Sequence, residues 1–259
     1  MAKYKKRNKR VVAIVQARCN SYRLPNKVMK KFSGVPSIEI LHKRLSFSKK
    51  INDIVVATSK NKINQKLINF LIEKKINYFR GSENNVLKRY YDASKKFKAD
   101  IIIRITGDSI LIDHKLVEKV LKIFNKNNVD YASNSLPASY PDGLDIEIFS
   151  KKCLNKTYKL AKSFYDKEHV TPLMRSQKKI KKINLKNKVD YSHIRWSLDQ
   201  EEDLQVLKRI IKNFDINNYF SWEKVLKLTQ SNKKIYNNNN KIIRNEGASM
   251  GKTLKLWKR

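Results

Sequence analysis

Val11-Val-Ala-Ile-Val-Gln-Ala-Arg-Cys-Asn-Ser-Tyr-Arg-Leu-Pro-Asn-Lys27 joins an apolar run to a polar loop. Five consecutive apolar residues bounded by polar ones read as a strand buried on both faces, the habit of a parallel sheet covered by helices. On open sheets of that kind ligands collect beyond the carboxyl ends of the strands. The loop places Arg18, Ser21, Arg23 and Lys27 there. Guanidinium forks grip phosphate oxygens and an ammonium supplies a point charge, so the group suits a triphosphate. Composition alone offers the plainer reading of a basic surface loop on a basic protein.

Outward from this strand, short apolar runs alternate with helical spacing. Residues 36–48 carry Ile38, Leu41 and Leu45 at helical intervals, with Pro36 suited to a first turn. Residues 53–58 (DIVVAT) read as a second buried strand, and 61–74 as a helix with Ile63, Leu67, Phe70 and Leu71 on one face. A short strand at 76–79, an amphipathic helix at 84–97 and the clearest central strand at 99–105 follow. A helix at 115–125 and a strand at 129–133 complete a βα alternation that predicts a parallel sheet flanked by helices. The pattern then changes. Pro141-Asp-Gly143 marks a turn, and 144–149 (LDIEIF) alternates apolar with acidic residues as a half-buried strand does. A helix-rich piece (151–177), strands near 180–185 and 193–197, a helix at 201–214 and a further helix at 221–229 follow. Residues 231–240, rich in Lys and Asn, read as a solvated linker. The expected division is a basic arm (1–10), one catalytic domain (11–230), and a linker and tail (231–259).

The 259 residues suffice for one large α/β core, and the 41% hydrophobic content argues against wholesale disorder. A formal net charge of +35 raises the question of nucleic acid. The excess is mostly Lys scattered along the chain, concentrated only in residues 3–10 and 178–188, so nucleic acid is not the expected main partner. An anionic nucleotide gains from the same field. Cys19 and Cys153 show neither CxxC spacing nor a His partner motif, which predicts a reducing compartment. With the apolar run too short for a signal segment and nothing near the ~18–20 residues of a membrane span, the expected location is cytoplasmic, without membrane partners.

Arg104-Ile-Thr-Gly-Asp108 ends the central strand, where a ligand-facing carboxylate belongs. Gly107 permits close backbone approach. Mg²⁺ takes one or two carboxylates plus phosphate and water oxygens, so Asp108 needs a second acid, and Asp199, at the end of Arg195-Trp-Ser-Leu-Asp199, is the best candidate. Each Asp alone reads equally as a cap or turn residue.

Seven segments occur in order: residues 16–27, Ile54-Val-Val-Ala-Thr-Ser59, Phe79-Arg-Gly-Ser82, Arg104-Ile-Thr-Gly-Asp108, Tyr140-Pro-Asp-Gly-Leu-Asp145, Glu168-His-Val-Thr-Pro172 and Arg195-Trp-Ser-Leu-Asp199. Together they resemble the cytidylyltransferase family, nearest its SpsF-like spore-coat polysaccharide branch, a family that includes CMP-Kdo and CMP-acylneuraminate synthetases. The resemblance spans about residues 11–214. It implies a three-layer α/β fold with a mostly parallel sheet, of the nucleotide-diphospho-sugar transferase (glycosyltransferase-A-like) type. It also implies a Mg²⁺-dependent transfer from CTP to a sugar or sugar derivative with release of pyrophosphate, serving surface polysaccharide synthesis. Arg18, Ser21, Arg23 and Lys27 would hold the triphosphate, Thr58, Ser59, Arg80, Gly81 and Ser82 would lie around base and ribose, and Asp108 and Asp199 would carry the metal. Three departures stand out: Asn26 where Gly is usual, Ile110 where Pro is common, and Asn85 where an acid is frequent. Asn tolerates left-handed backbone geometry.

Asp142, Asp145, Glu147, His169 and Arg175 are candidates for the acceptor side, since carboxylates readily accept from sugar hydroxyls. Asp142 reads also as a turn former and His169 as a cap or a satisfied core residue. Trp196 reads as core before base. CTP and a sugar acceptor are the expected partners, with homodimerisation left open. The rivals are an enzyme using another nucleotide with a sugar phosphate, and a non-catalytic basic nucleic-acid module on the same fold. Residues 242–259 weakly resemble the opening of an aminotransferase domain fused behind some such enzymes, or form a plain amphipathic tail.

Overall fold

Residues 11–16 form β1 (Val11–Gln16), and its alternate side chains enter two separate hydrophobic layers. Val11, Ala13 and Val15 pack into one layer, Val12 and Ile14 into the other. A strand covered on both faces has no polar side to display, which is why the run is unbroken. The computed structural model describes residues 8–232 together with Ile235, Asn239, Ile242 and Arg244.

After β1 come a small hairpin, β2 (Lys31–Phe32) and β3 (Val35–Pro36), then α1 (Ser37–Ser46), β4 (Asp53–Ser59), α2 (Gln65–Glu73) and β5 (Tyr78–Gly81). Next are α3 (Val86–Lys96), β6 (Ile101–Thr106), α4 (His114–Lys126), β7 (Tyr131–Ser133) and β8 (Glu147–Ser150). The described chain continues through α5 (Lys151–Leu160), α6 (Phe164–His169), α7 (Pro172–Ser176), β9 (Lys182–Asn184), α8 (Glu201–Ile211) and α9 (Trp222–Ser231). The main sheet runs β5-β4-β1-β6-β8-β7-β9, parallel except where β8 pairs with β6 and β7. This is the three-layer, mostly parallel α/β fold expected.

The chain moves from β1 outward to β4 and β5, then crosses back to lay β6 on β1's other side. That reversal opens a crevice beyond the carboxyl ends of β1 and β6, the usual ligand position in such sheets. Gln16 pairs with Ala57 on one side and Thr106 on the other, so three strand ends meet at one level.

Several local expectations change. Pro36 ends β3 ahead of α1, after a turn in which Ser33 and Gly34 take positive φ (46° and 82°), the backbone a two-residue hairpin needs. Ile63 lies in a 3-10 turn (Lys62–Asn64) and is exposed, because the tighter turn rotates it off the face shared by Leu67 and Leu71. The acidic alternation at 144–149 does not make a water-facing side: Glu147 is buried along with Leu144, Ile146, Ile148 and Phe149, while Asp145 is partly exposed. Residues 193–197 form no strand. They run beside Asp142 through one bridge, with Asp142 N–H donating to Ile194 O (2.8 Å) and Trp196 N–H to Asp142 O (2.7 Å).

The outer boundaries also shift. Arg10, grouped with the arm, is pinned to the domain: its backbone N–H donates to Asp100 (2.7 Å), its Nε to Phe97 O (3.0 Å), and its guanidinium pairs with Asp53. Within the stretch read as a solvated linker, Ile235 and Asn239 are buried. Residues 1–7 of the arm lie outside the described residues, as does most of 242–259, where the aminotransferase-like reading falls. No helix among the described residues is long and apolar enough to cross a membrane. Cys19 and Cys153 are free and buried, and burial pushes both thiols up.

Candidate active site

The crevice is a cleft of about 1400 Å³. The loop after β1 forms its floor, held by Cys19 N–H donating to Asn64 Oδ1 (2.8 Å) and Asn26 N–H to Cys19 O (2.9 Å). Asn26 takes φ 55° and ψ 26°, the left-handed geometry that Gly adopts freely and Asn tolerates. Gly107 lets the next loop pass underneath, since a Cβ there would stand 2.9 Å from Gln16 O.

Asp108 and Asp199 come together although ninety-one residues separate their numbers, because Leu198 N–H donates to Asp108 O (3.0 Å). Lys27 Nζ bridges them, 2.9 Å from Asp199 Oδ1 and 3.4 Å from Asp108 Oδ2, and Arg23 pairs with Asp199. Burial works to raise the Asp108 carboxyl, but the Lys27 charge and the Thr106 hydroxyl outweigh it and hold it below its usual value. Two carboxylates converging on one cationic atom form a donor set that fits Mg²⁺, which leaves its other positions to phosphate and water. Among the described residues no group of three or more His, Cys, Asp or Glu is arranged to hold a metal.

Behind these acids stands a buried frame. Arg195 forks onto Asp203 (Nε–Oδ1 2.8 Å, NH2–Oδ2 2.9 Å) and reaches Asp142 through NH1 (3.0 Å). Asp203 Oδ2 also accepts from the backbone N–H groups of Asp199 and Gln200, both at 3.0 Å, setting the angle at which Asp199 leaves the chain. Gly143, at φ 96°, is required here: a Cβ would stand 2.6 Å from the Trp196 carbonyl. Trp196 itself is fully buried core.

The opposite wall carries the acceptor candidates. Glu147, 2% exposed, is committed to three partners: Arg104, the Tyr131 hydroxyl, and Arg175 (Nε 3.0 Å, NH2 2.7 Å). Burial would raise its carboxyl, but the two guanidiniums pull it down to about 2. Glu147 therefore meets the cleft through Arg104 and Arg175, and is not itself a free acceptor group. Asp142 and Asp145 also line the cleft. Burial raises Asp142 against the pull of Arg244 and Arg195, and raises Asp145 to about 7 although Arg244 pairs with it. His169 ends α6 and lines the cleft, its ring 4.6 Å from Tyr165. Val170, buried at φ 69°, makes a tight turn with Thr171 N–H donating to His169 O (2.8 Å). A β-branched residue there is strained, and such strain gathers at functional sites.

The cleft thus brings together Arg18, Ser21, Arg23, Lys27, Asp108, Asp142, Asp145, Glu147, His169, Arg175 and Asp199. Thr58, Ser59, Arg80, Gly81 and Ser82 are not among its lining residues. Thr58 and Ser59 are buried, Ser59 Oγ accepting from Asn64 (2.8 Å); Arg80 donates to Lys60 O (3.2 Å), and Ser82 Oγ accepts from Asn85 N–H (3.1 Å). A Cβ at Gly81 would stand 2.9 Å from Arg89 Cγ, so that glycine makes room for an arginine. Asn85 caps α3 by accepting from Lys88 N–H (2.8 Å), and Ile110 is buried core. Sequence reading passes over Arg89, Arg104, Arg195 and Asp203 as site residues. Arg104 and Arg195 sit inside quoted motifs, and Asp203 stands third into a helix behind Gln200 as a capping residue does.

The profile of the cytidylyltransferase family matches residues 12–242. The uncharacterised protein MJ1063 of Methanocaldococcus jannaschii is 37% identical over 81% of this chain and 86% of its own length. The spore coat polysaccharide biosynthesis protein SpsF of Bacillus subtilis is 26% identical over 77% of this chain and 85% of its own. A solved cytidylyltransferase from Leptospira borgpetersenii superposes with TM-score 0.84 at 32% identity, covering 89% of this chain and 98% of that one. The chain belongs to the cytidylyltransferase family and is a nucleotidyltransferase.

Proposed function

We propose that this family member transfers cytidylyl from CTP to a hydroxyl of a sugar or sugar derivative, Mg²⁺-dependently, for surface polysaccharide synthesis in the cytoplasm. One observation carries the reading: the loop after β1 lays Arg23 and Lys27 on two acids, Asp108 beyond the end of β6 and Asp199 just before α8, in a cleft also lined by Asp142, Asp145, Arg104 and Arg175.

The acceptor hydroxyl oxygen attacks the α-phosphorus in line, its proton passing to solvent, and the bond to the bridging α–β oxygen breaks as pyrophosphate leaves. Mg²⁺, held by Asp108 and Asp199, would neutralise charge on the α-phosphoryl and leaving oxygens. Arg18, Arg23 and Lys27 bind the β- and γ-phosphates, contributing orientation and leaving-group stabilisation. Ser21 adds a hydroxyl to the same loop. Asp142 and Asp145 accept from acceptor hydroxyls beside His169. Arg104 and Arg175 share one buried carboxylate, Glu147, so this trio carries one positive charge in excess. That charge suits an acceptor bearing a carboxylate or phosphate.

A nucleotide panel read by thermal melting, with and without Mg²⁺, tests the reading, because a ligand of the native state raises apparent stability by mass action. CTP with Mg²⁺ is expected to stabilise more than ATP, GTP or UTP. Equal shifts for all four would remove the cytidine part and leave triphosphate binding, and no shift would remove both.

A further inference from the structure

Arg89, in the first turn of α3, is 2% exposed and lines the cleft. Burial dominates and opposes a charge there, although Tyr90 and Glu83 favour one. Burial lowers its pKa to about 10, and the neighbouring Arg18 charge lowers it further. The helix N-terminus is the wrong end for a cation.

Among the described residues no carboxylate makes an ion pair or side-chain hydrogen bond with it. The acid beside it, Glu83, is turned to other donors: Asn20 Nδ2 on Oε1 (2.9 Å) and Asn61 Nδ2 on Oε2 (2.9 Å). The guanidinium reaches only two carbonyls, Ala57 O (3.5 Å from NH1) and Glu83 O (3.3 Å from NH2), and its buried Nε has no partner. A side chain that breaks local rules without a partner in the fold points to a ligand.

Position selects which part of the ligand. The acids that mark the reacting phosphates rise from the end of β6 and from residue 199, on one side of β1. Arg89 lies on the other side, against the ends of β4 and β5. A nucleotide whose triphosphate crosses the β1 loop therefore presents its nucleoside to Arg89. Guanidinium offers donors and no acceptor. Cytosine presents two adjacent acceptors, O2 and N3, whereas uracil presents O2 beside an N3–H that would oppose the guanidinium.

We infer that Arg89 reads the O2–N3 edge of the base and is the residue that makes the site choose cytosine over uracil. The inference rests on the cytidylyl reading of the cleft. Gly81 supports it by leaving space for the Arg89 stem.

Calorimetric titration with CTP, UTP, 3-deazacytidine triphosphate (N3 replaced by C–H) and inorganic tripolyphosphate, all with Mg²⁺, tests it on the native protein and on Arg89→Lys. The native protein is expected to bind CTP at least about tenfold more tightly than UTP or the deaza analogue, because a site built around donors is left unpaired by the wrong edge. Arg89→Lys should lose at least about tenfold for CTP, bring the CTP-to-UTP ratio towards one, and leave tripolyphosphate within about twofold. Parallel losses for all ligands, tripolyphosphate included, would place Arg89 on phosphate and overturn the inference. Equal native affinity for CTP and the deaza analogue overturns it without any variant, even if Arg89→Lys fails to fold. A native preference for another nucleotide overturns the cytidylyl reading and this inference together. A CTP preference that survives Arg89→Lys overturns the Arg89 assignment alone.

Discussion

Replacing Asp203 by Asn should unfold the site from behind. Asp203 is fully buried and accepts five hydrogen bonds: Arg195 Nε and Asn239 Nδ2 on Oδ1, and Arg195 NH2 with the backbone N–H groups of Asp199 and Gln200 on Oδ2. Every partner is a donor. An amide keeps one oxygen and presents an NH₂ in place of the other, so donors face donors in either orientation. Removing one member of a buried ion pair costs about 3–5 kcal/mol, since the remaining charge is left uncompensated. Set against a total stability of about 5–15 kcal/mol, the loss is large but survivable. For a domain of this size it corresponds to a fall in melting temperature of roughly 6–20 °C. Urea unfolding of Asp203→Asn gives the free energy directly. The double variant Arg195→Met/Asp203→Leu should be no less stable than Asp203→Asn, because replacing both members leaves neither charge unpaired against the other. Part of the loss should remain, since Asp142 loses Arg195. A cost below about 1 kcal/mol for Asp203→Asn would refute the reasoning, because buried pairs broken at one end do not behave so.

Asp108→Asn or Asp199→Asn should lower pyrophosphate release by orders of magnitude while melting stays near native, and near-native turnover in either would remove that residue from the metal set. Arg23→Ala and Lys27→Ala should each weaken triphosphate binding by roughly 1.5–3 kcal/mol, the value of a charged hydrogen bond. In Lys27→Ala the Asp108 carboxyl should also titrate higher, because the Lys27 charge is the main influence opposing burial. Carboxyl chemical shifts across a pH series read this, and an unmoved Asp108 would count against the bridge. Glu147 gives a pH signature. Its folded carboxyl lies near 2 against an ordinary 4.5, so its stabilisation is full above about 4.5 and is lost as pH falls towards 2. The native protein should lose about 3 kcal/mol relative to Glu147→Gln across that window, measured by urea midpoints. Parallel curves for the two would show that Glu147 is not held ionised by its arginines.

The linear sequence already carried the sheet and the floor of the cleft, because both follow from local rules. A continuous apolar run at Val11–Val15 fits only a strand covered on two faces, and a strand followed by a cationic loop fixes where anions collect. Gly107 and Asn26 announced a close approach and a left-handed turn through backbone freedom alone. What local rules do not hold is which charges meet. Glu147 reads as the polar face of a half-exposed strand until Arg104, Tyr131 and Arg175, from three other elements, enclose it. Ile63 reads as core until a 3-10 turn rotates it outward. Asn239 reads as linker, yet it donates to Asp203 and to Arg195 O. Arg89 shows no signal at all in sequence, since its lack of a counter-ion depends on where Asn20 and Asn61 hold Glu83. Burial and pairing are sums over partners distant in the chain, and a charge acquires its meaning only when tertiary packing decides what stands beside it.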